Sequence, residues 1–289
     1  MPNPPYNNIS FYDRHKNSVM MKFIGIDLGW TTGASGLCCL MWADNQLHLL
    51  NLDRRESNED ILAWIDTYAP SPEPAIIAVD APTLIPNATG MRLPDKLTHK
   101  HFHRYHAACY PANLGRPFAQ RTVEFGLSLE ARGFVHAPVI EAQKLGRFQI
   151  EVFPHPAIVN LFGLERILKY KKGKLSERRA ELIKLRQYIL DYLPTLQPAL
   201  KLPDLPAVPL TGLALKSVED KLDSLICAYV GAYWWYWGLK KNLVLGDRTT
   251  GYIVIPASPS PSSSSPSPSS SSPSPSSSSP SPSSSSPSP

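Results

Sequence analysis

The first third of the chain carries short apolar runs at residues 22–28 (Lys-Phe-Ile-Gly-Ile-Asp-Leu), 35–42 and 46–52. Their length and their bounds, Gly29 and the pair Asp44-Asn45, predict three β-strands in an antiparallel meander. Ser57, followed by Glu59, Asp60 and apolar Ile61, Leu62, Trp64 and Ile65, predicts an N-capped amphipathic helix ending before Pro70. Residues 75–79 are apolar without a break and close on Asp80-Ala81-Pro82. Such a run suits a central strand covered on both faces, reached from the helix by a right-handed crossover and paired in parallel.

Beyond this strand the pattern predicts a long loop over 83–118 and a helix near 119–132. A strand over 148–153 follows, then helices near 156–163 and 176–193, and a Pro-rich connector from Pro194 to Pro209. The last helix, Val218 to Leu239, is apolar on nearly every side and so predicts a buried helix. At 100° per residue, Asp220 and Asp223 share the face that continues through Cys227, Gly231 and Trp234, and they should point at the sheet. The sum is an α/β domain with three antiparallel strands followed by parallel ones, flanked by helices.

Composition sets the limits of that domain within the 289 residues. After Ala257 the chain is only Ser and Pro, repeating Pro-Ser-Pro-Ser-Ser-Ser-Ser, with nothing to offset the entropy of ordering; a disordered tail over 257–289 is expected. Residues 1–20 read as a flexible leader without a signal-type apolar stretch, with Met20 or Met21 a candidate start. No run approaches the ~20 apolar residues of a membrane span. Cys38, Cys39, Cys109 and Cys227 form no CxxC pair, which points to reduced thiols and a cytoplasmic protein. The net charge of +5 falls outside the tail and is compatible with nucleic-acid binding without demanding it.

Candidate chemistry lies in acids set among apolar residues: Asp27, Asp80, Asp220, Asp223 and, inside an apolar strand, Glu151. An unpaired buried charge costs on the order of several kcal/mol, so such carboxylates need hydrogen bonds or a cation. Local roles are open to several of them. Ser217-Val218-Glu219-Asp220 is close to a capping box, Asp27 could end a strand before Gly29, and Asp80 could make a turn before Pro82. Asp223 lies beyond any cap. Asp27 and Asp80 both stand at the carboxyl ends of strands, where open α/β sheets gather their sites. A cluster of this kind suits Mg²⁺ or Mn²⁺, and two such ions support phosphoryl transfer without a nucleophilic side chain.

These residues resemble the RNase H-like superfamily, in which an aspartate sits in the first strand, an acid ends the fourth and further acids lie on the final helix. The segment from Glu219 to Ala228 resembles the last helix of RuvC-type Holliday-junction resolvases. More closely, residues 21–256 resemble an uncharacterised family of predicted RNase H-like nucleases. That likeness runs through Gly-Ile-Asp-Leu-Gly, Val-Asp-Ala-Pro, Glu151-Val-Phe-Pro-His-Pro-Ala, Asp220-x-x-Asp223 and Gly251-Tyr-Ile-Val-Ile-Pro256. The resemblance implies an RNase H-like mixed sheet, two-metal hydrolysis of phosphodiesters at Asp27, Asp80, Asp220 and Asp223, and nucleic acid as partner. It leaves the role of Glu151 open.

The Lys169-Tyr-Lys-Lys-Gly-Lys174 run, with Arg178 and Arg179, could guide a polyanion through Lys169, Lys171, Lys172 and Lys174, or form a solvated loop. His99, His101, His103 and His106, of which His103 and His106 are three apart and could share a helix face, have no cysteine at zinc spacing and could form a basic, aromatic surface contacting phosphates. Trp234, Trp235 and Trp237 read as core. Two other readings compete. Gly25-Ile-Asp-Leu-Gly-Trp-Thr-Thr-Gly resembles the first phosphate loop of sugar-kinase, Hsp70 and actin-type ATPases, although a duplicated core and second loop are missing from the sequence. A non-catalytic nucleic-acid-binding protein on the same fold is the third.

Overall fold

A computed structural model of the chain describes residues 20–31, 33–202 and 204–258; nearly all of the leader and of the Ser/Pro tail lie outside them. Strands β1 (Met21–Asp27), β2 (Ser35–Ala43) and β3 (Gln46–Arg55) form the expected antiparallel meander. Asp44 and Asn45 turn β2 into β3 with φ of 51° and 59°, the paired left-handed geometry of a two-residue hairpin loop. Helix α1 (Asn58–Tyr68) starts where predicted, with Ser57 Oγ accepting from Asp60 N at 3.0 Å. Strand β4 (Ala75–Val79) is buried throughout and runs parallel to β1.

Helices α2 (Leu93–Phe102) and α3 (Ala119–Glu130) lead to β5 (Val135–His136) and β6 (Arg147–Glu151). Then come α4 (Pro154–Phe162), α5 (Leu175–Tyr192), β7 (Leu200–Lys201), α6 (Gly212–Trp237), β8 (Asn242–Asp247) and β9 (Gly251–Pro256). The main sheet has the order β5-β6-β4-β1-β2-β3-β7, and β8 and β9 form a separate hairpin. Antiparallel strands followed by parallel ones, with helices on both faces, make a mixed α/β fold consistent with an RNase H-like arrangement. Among the described residues this core occurs once, so the duplication typical of the kinase-like ATPases is not found.

Alternation along the strands divides the core. Phe23, Cys38, Leu40, Ile76 and Ala78 face α4, α5 and α6, whereas Ile24, Ile26, Leu37, Ile77 and Val79 face α1 and α3. Helix α6 presses directly on β1: a Cβ at Gly25 would lie 2.0 Å from the Ser224 carbonyl oxygen. Trp234 and Trp235 are core, their indole N–H groups donating to Ala137 O at 3.0 Å and Lys144 O at 3.1 Å. Among the described residues no helix is long and apolar enough to cross a membrane.

Three expectations are corrected. Helix α6 starts at Gly212, not Val218, with Thr211 at its N-cap, so Asp220 lies two turns inside and has no capping role. The 83–118 stretch contains α2, hidden because its exposed face is a run of His and Lys. His103 and His106 do not share a helix face, since α2 ends at Phe102 and His106 turns left-handed at φ 62°.

Candidate active site

The carboxyl ends of β1, β4 and β6 lie side by side, because these three strands are neighbours and parallel. Asp27 closes β1, Asp80 follows β4, and Glu151 closes β6. Backbone bonds fix that edge: Asp80 N donates to Ile26 O at 2.8 Å and Val152 N to Val79 O at 2.9 Å. Helix α6 lays Asp223 across the same end, fully buried.

Asp27 and Asp80 have no hydrogen-bond donor to their carboxylates among the described residues, and the surrounding charges act on both. Burial pushes the Asp27 carboxyl well above its usual range; Lys171 opposes this, and Asp223, Asp80 and Asp220 reinforce it. Asp80, which keeps partial access to solvent, is pushed up to about 7 by desolvation, against Lys171 and Lys216 and with Asp223 adding to the rise. The acids predicted at positions 27, 80 and 223 therefore share one electrostatic site.

The cation within that site is Lys171, whose Nζ is 2.7 Å from Asp223 Oδ2. Burial works against its charge, but Asp223, Asp27, Tyr170 and Asp80 outweigh it and hold the ammonium well above its ordinary range. Tyr170, fully buried, donates from Oη to Asp223 Oδ1 at 2.8 Å. Beside it His155, its ring centroid 5.5 Å from that of Tyr170, is pushed down to about 4 by burial and by Lys171, and so stays neutral near pH 7. Sequence reasoning assigned Tyr170 and His155 no role; the positions flanking Asp223 come from the loop before α5 and the start of α4, a juxtaposition no local pattern encodes.

Asp220 is differently held. Arg54 Nε reaches its Oδ2 at 2.9 Å and Lys216 Nζ its Oδ1 at 2.6 Å, and the adjoining Glu219 takes Arg178 at 3.2 Å and Lys216 at 2.8 Å. Glu151 is also spoken for: Arg92 grips it with two bonds, of 2.6 Å and 2.7 Å, and binds Asp95 at 2.9 Å with the same guanidinium. Asp95 in turn accepts from Ala112 N at 2.9 Å, so this buried triad ties the 83–118 segment to the sheet. Desolvation lifts the Glu151 carboxyl to about 7 in spite of Arg92.

Of the predicted lysines, Lys171 points into the acids, while Lys169, Lys172 and Lys174 are exposed around it. The backbone N–H of Lys169 and of Lys174 donates to Glu181 and Glu177, each at 3.2 Å, which fixes the loop against α5. His101, His103 and His106 are exposed, and His99 Nε2 lies 3.0 Å from Cys109 O.

Among the described residues no three His, Cys, Asp or Glu side chains are gathered closely enough to hold a metal ion, and the charge at the centre is the Lys171 ammonium. The donor chemistry nonetheless suits a hard divalent cation. It consists of carboxylate oxygens, those of Asp27 and Asp80 lack donors, and buried Asp223 Oδ2 has no aligned hydrogen bond despite its nearby lysine.

Comparison with protein families gives a match over residues 25–241 to the family described as protein of unknown function, DUF429. No curated protein matches, and no solved structure does. The chain belongs to the DUF429 family.

Proposed function

We propose that this member of the DUF429 family is a metal-dependent hydrolase of phosphodiester bonds, a nuclease of RNase H-like type, whose ion is held by Asp27, Asp80 and Asp223. The observation that carries the reading is the pair of carboxylates at the ends of β1 and β4, desolvated, without donors, and facing a third on α6. Asp27 and Asp80 differ in this from Glu151, Asp95, Glu219 and Asp220, each bound by Arg or Lys, while Asp223 shares the buried site of the first two and pairs with Lys171. When bound, Mg²⁺ or Mn²⁺ would supply an acidified water and charge stabilisation at the leaving oxygen.

The chain's own groups divide the remaining work. Tyr170 orients Asp223 through its 2.8 Å hydrogen bond. Lys171 neutralises the acids in the absence of a divalent ion and has to give way when one arrives. Lys169, Lys172 and Lys174, exposed on the same loop, offer charge to phosphates at the mouth. Asp220 steadies Arg54 and Lys216 at the rim, and Glu151 anchors the 83–118 segment. Nucleic acid is the proposed substrate, and the four free cysteines accord with a reducing, cytoplasmic setting.

The test is cleavage of labelled DNA and RNA with Mg²⁺ or Mn²⁺, together with the thermal shift that Mn²⁺ produces. Asp27→Asn should abolish both effects. Wild-type protein that neither cleaves nor gains stability with Mn²⁺ would overturn the reading.

A further inference from the structure

We propose that Tyr110 and Arg116, backed by the rings of Phe118 and Trp30, form a stacking platform for a single strand of nucleic acid, which leads the strand to the carboxylate site. Only the destination rests on the hydrolase reading; the binding stands on its own observations.

The platform begins at the site itself. Trp30 follows Asp27 by three residues, and its indole Nε1 donates to the Asp80 carbonyl at 3.0 Å. From there the rings continue outward. Trp30 and Phe118 have centroids 4.6 Å apart, and Phe118 meets Tyr110 at 6.2 Å, edge to face. Phe118 is buried, whereas Tyr110 is 58% exposed, so the series ends in an aromatic ring offered to solvent. Arg116 lies over that ring, its guanidinium carbon 5.0 Å from the centroid.

The charge beside these rings is unspent. Arg54, Arg92, Arg132 and Arg178 each meet a carboxylate. Arg116 and Arg121 meet none among the described residues: Arg116 reaches only Tyr110 Oη, and Arg121 only the Glu56 carbonyl. The Nε of both is buried and has no acceptor. The Arg116 guanidinium over an exposed aromatic ring asks for a ligand with both an anion and a flat π-face, and Arg121, three residues past Phe118 on α3, adds a second cation that meets no carboxylate among the described residues. A nucleotide strand has these at every step, the phosphate for the arginines and the base for Tyr110. A duplex does not, because its base faces are already covered by their neighbours.

The experiment is fluorescence anisotropy of a short labelled single-stranded oligonucleotide with the full chain in EDTA, so that binding is read without cleavage. Single strands should bind, and Tyr110→Ala should weaken binding roughly 5- to 150-fold, the range expected for one stacked base. Tyr110→Phe should stay within about twofold of wild type, since the ring is kept. Arg116→Ala and Arg121→Ala should weaken binding and each lower its salt dependence. An iodouracil-substituted strand should photo-cross-link at Tyr110.

Wild-type affinity in Tyr110→Ala overturns the proposal, as does a duplex or a mononucleotide that competes as well as the strand. The two readings fail separately. Unimpaired cleavage by Asp27→Asn removes the hydrolase but leaves the platform. Lost cleavage in Asp27→Asn with unchanged binding by Tyr110→Ala removes the platform and leaves the hydrolase.

Discussion

Gly36 of β2 meets Asp220 of α6 backbone to backbone: a Cβ at Gly36 would lie 1.9 Å from the Asp220 carbonyl oxygen. With Gly25 beneath Ser224 and Ala228, it lets the helix settle on the sheet far enough to bring Asp223 to Asp27. Gly36→Ala or Gly25→Ala has only backbone to push against, which cannot rotate away as a side chain could. Each should cost at least about 3 kcal/mol, read as a lower urea midpoint. An unchanged midpoint would mean that α6 is not seated as described.

Lys171 is the counter-charge of the acid site, so removing it should expose the cost of that site. Lys171→Met leaves Asp27, Asp80 and Asp223 facing one another and should destabilise the metal-free protein by roughly 2–4 kcal/mol, somewhat less than a fully buried pair because the lysine side chain is 30% exposed. The same variant should bind Mn²⁺ more tightly, since its competitor is gone, and recover stability as the ion is added. A thermal melt with and without Mn²⁺ checks both. Equal melting of variant and wild type without metal would contradict the charge balance inferred here.

Asp27→Asn should act in the opposite sense on stability. Its carboxylate is desolvated and near three other acids, so replacing it by a neutral isostere should raise the metal-free melting temperature at pH 8, while abolishing the response to Mn²⁺. A lower melting temperature would show that the Asp27–Lys171 attraction outweighs the repulsion.

Much of this arrangement could be read from local pattern. Asp27 and Asp80 each have a possible local role, as a strand end or a turn residue, and stood out because both close apolar runs at the carboxyl ends of strands. The beginning of α6 was obscured by Gly212 and by Leu213, an apolar residue 91% exposed that breaks the periodicity. The β8–β9 hairpin went unpredicted, although two apolar runs flank Asp247-Arg-Thr-Thr-Gly251, where Asp247 Oδ1 accepts from Thr249 N and Thr250 N at 2.8 Å. Pairings between distant segments left no such trace. Nothing in a run of four lysines separates Lys171, turned toward Asp223, from its exposed neighbours.

Arg92 is another residue whose importance only the fold reveals. It is 3% exposed and shared between Glu151 and Asp95, so Arg92→Met strands two buried carboxylates and should cost about 3–5 kcal/mol. Arg92→Lys should recover little, because an ammonium cannot grip Glu151 with two parallel bonds. Urea denaturation of both variants checks this. Full recovery by lysine would show that charge alone, without the planar fork, holds the 83–118 segment.

His136 gives the chain a distinct acid sensitivity. Its ring is 7% exposed, with Nδ1 3.0 Å from Tyr252 Oη, and burial, aided by Arg248, lowers it from 6.5 to about 4. Above pH 6.5 the ring is neutral in both folded and unfolded chains, so no stability depends on its protonation. As pH falls from 6.5 towards 4 the unfolded chain takes up the proton first, and stability is lost progressively, by up to about 3 kcal/mol. Glu151, raised to about 7, works in the reverse direction over part of that range, so the net profile of the wild type is a sum of opposed contributions. The difference between wild type and His136→Gln isolates the imidazole, since glutamine can still meet Tyr252. Stability measured by urea denaturation should fall more steeply in wild type than in the variant between pH 6.5 and 4, and parallel curves would show that His136 titrates alike in the folded and unfolded chain.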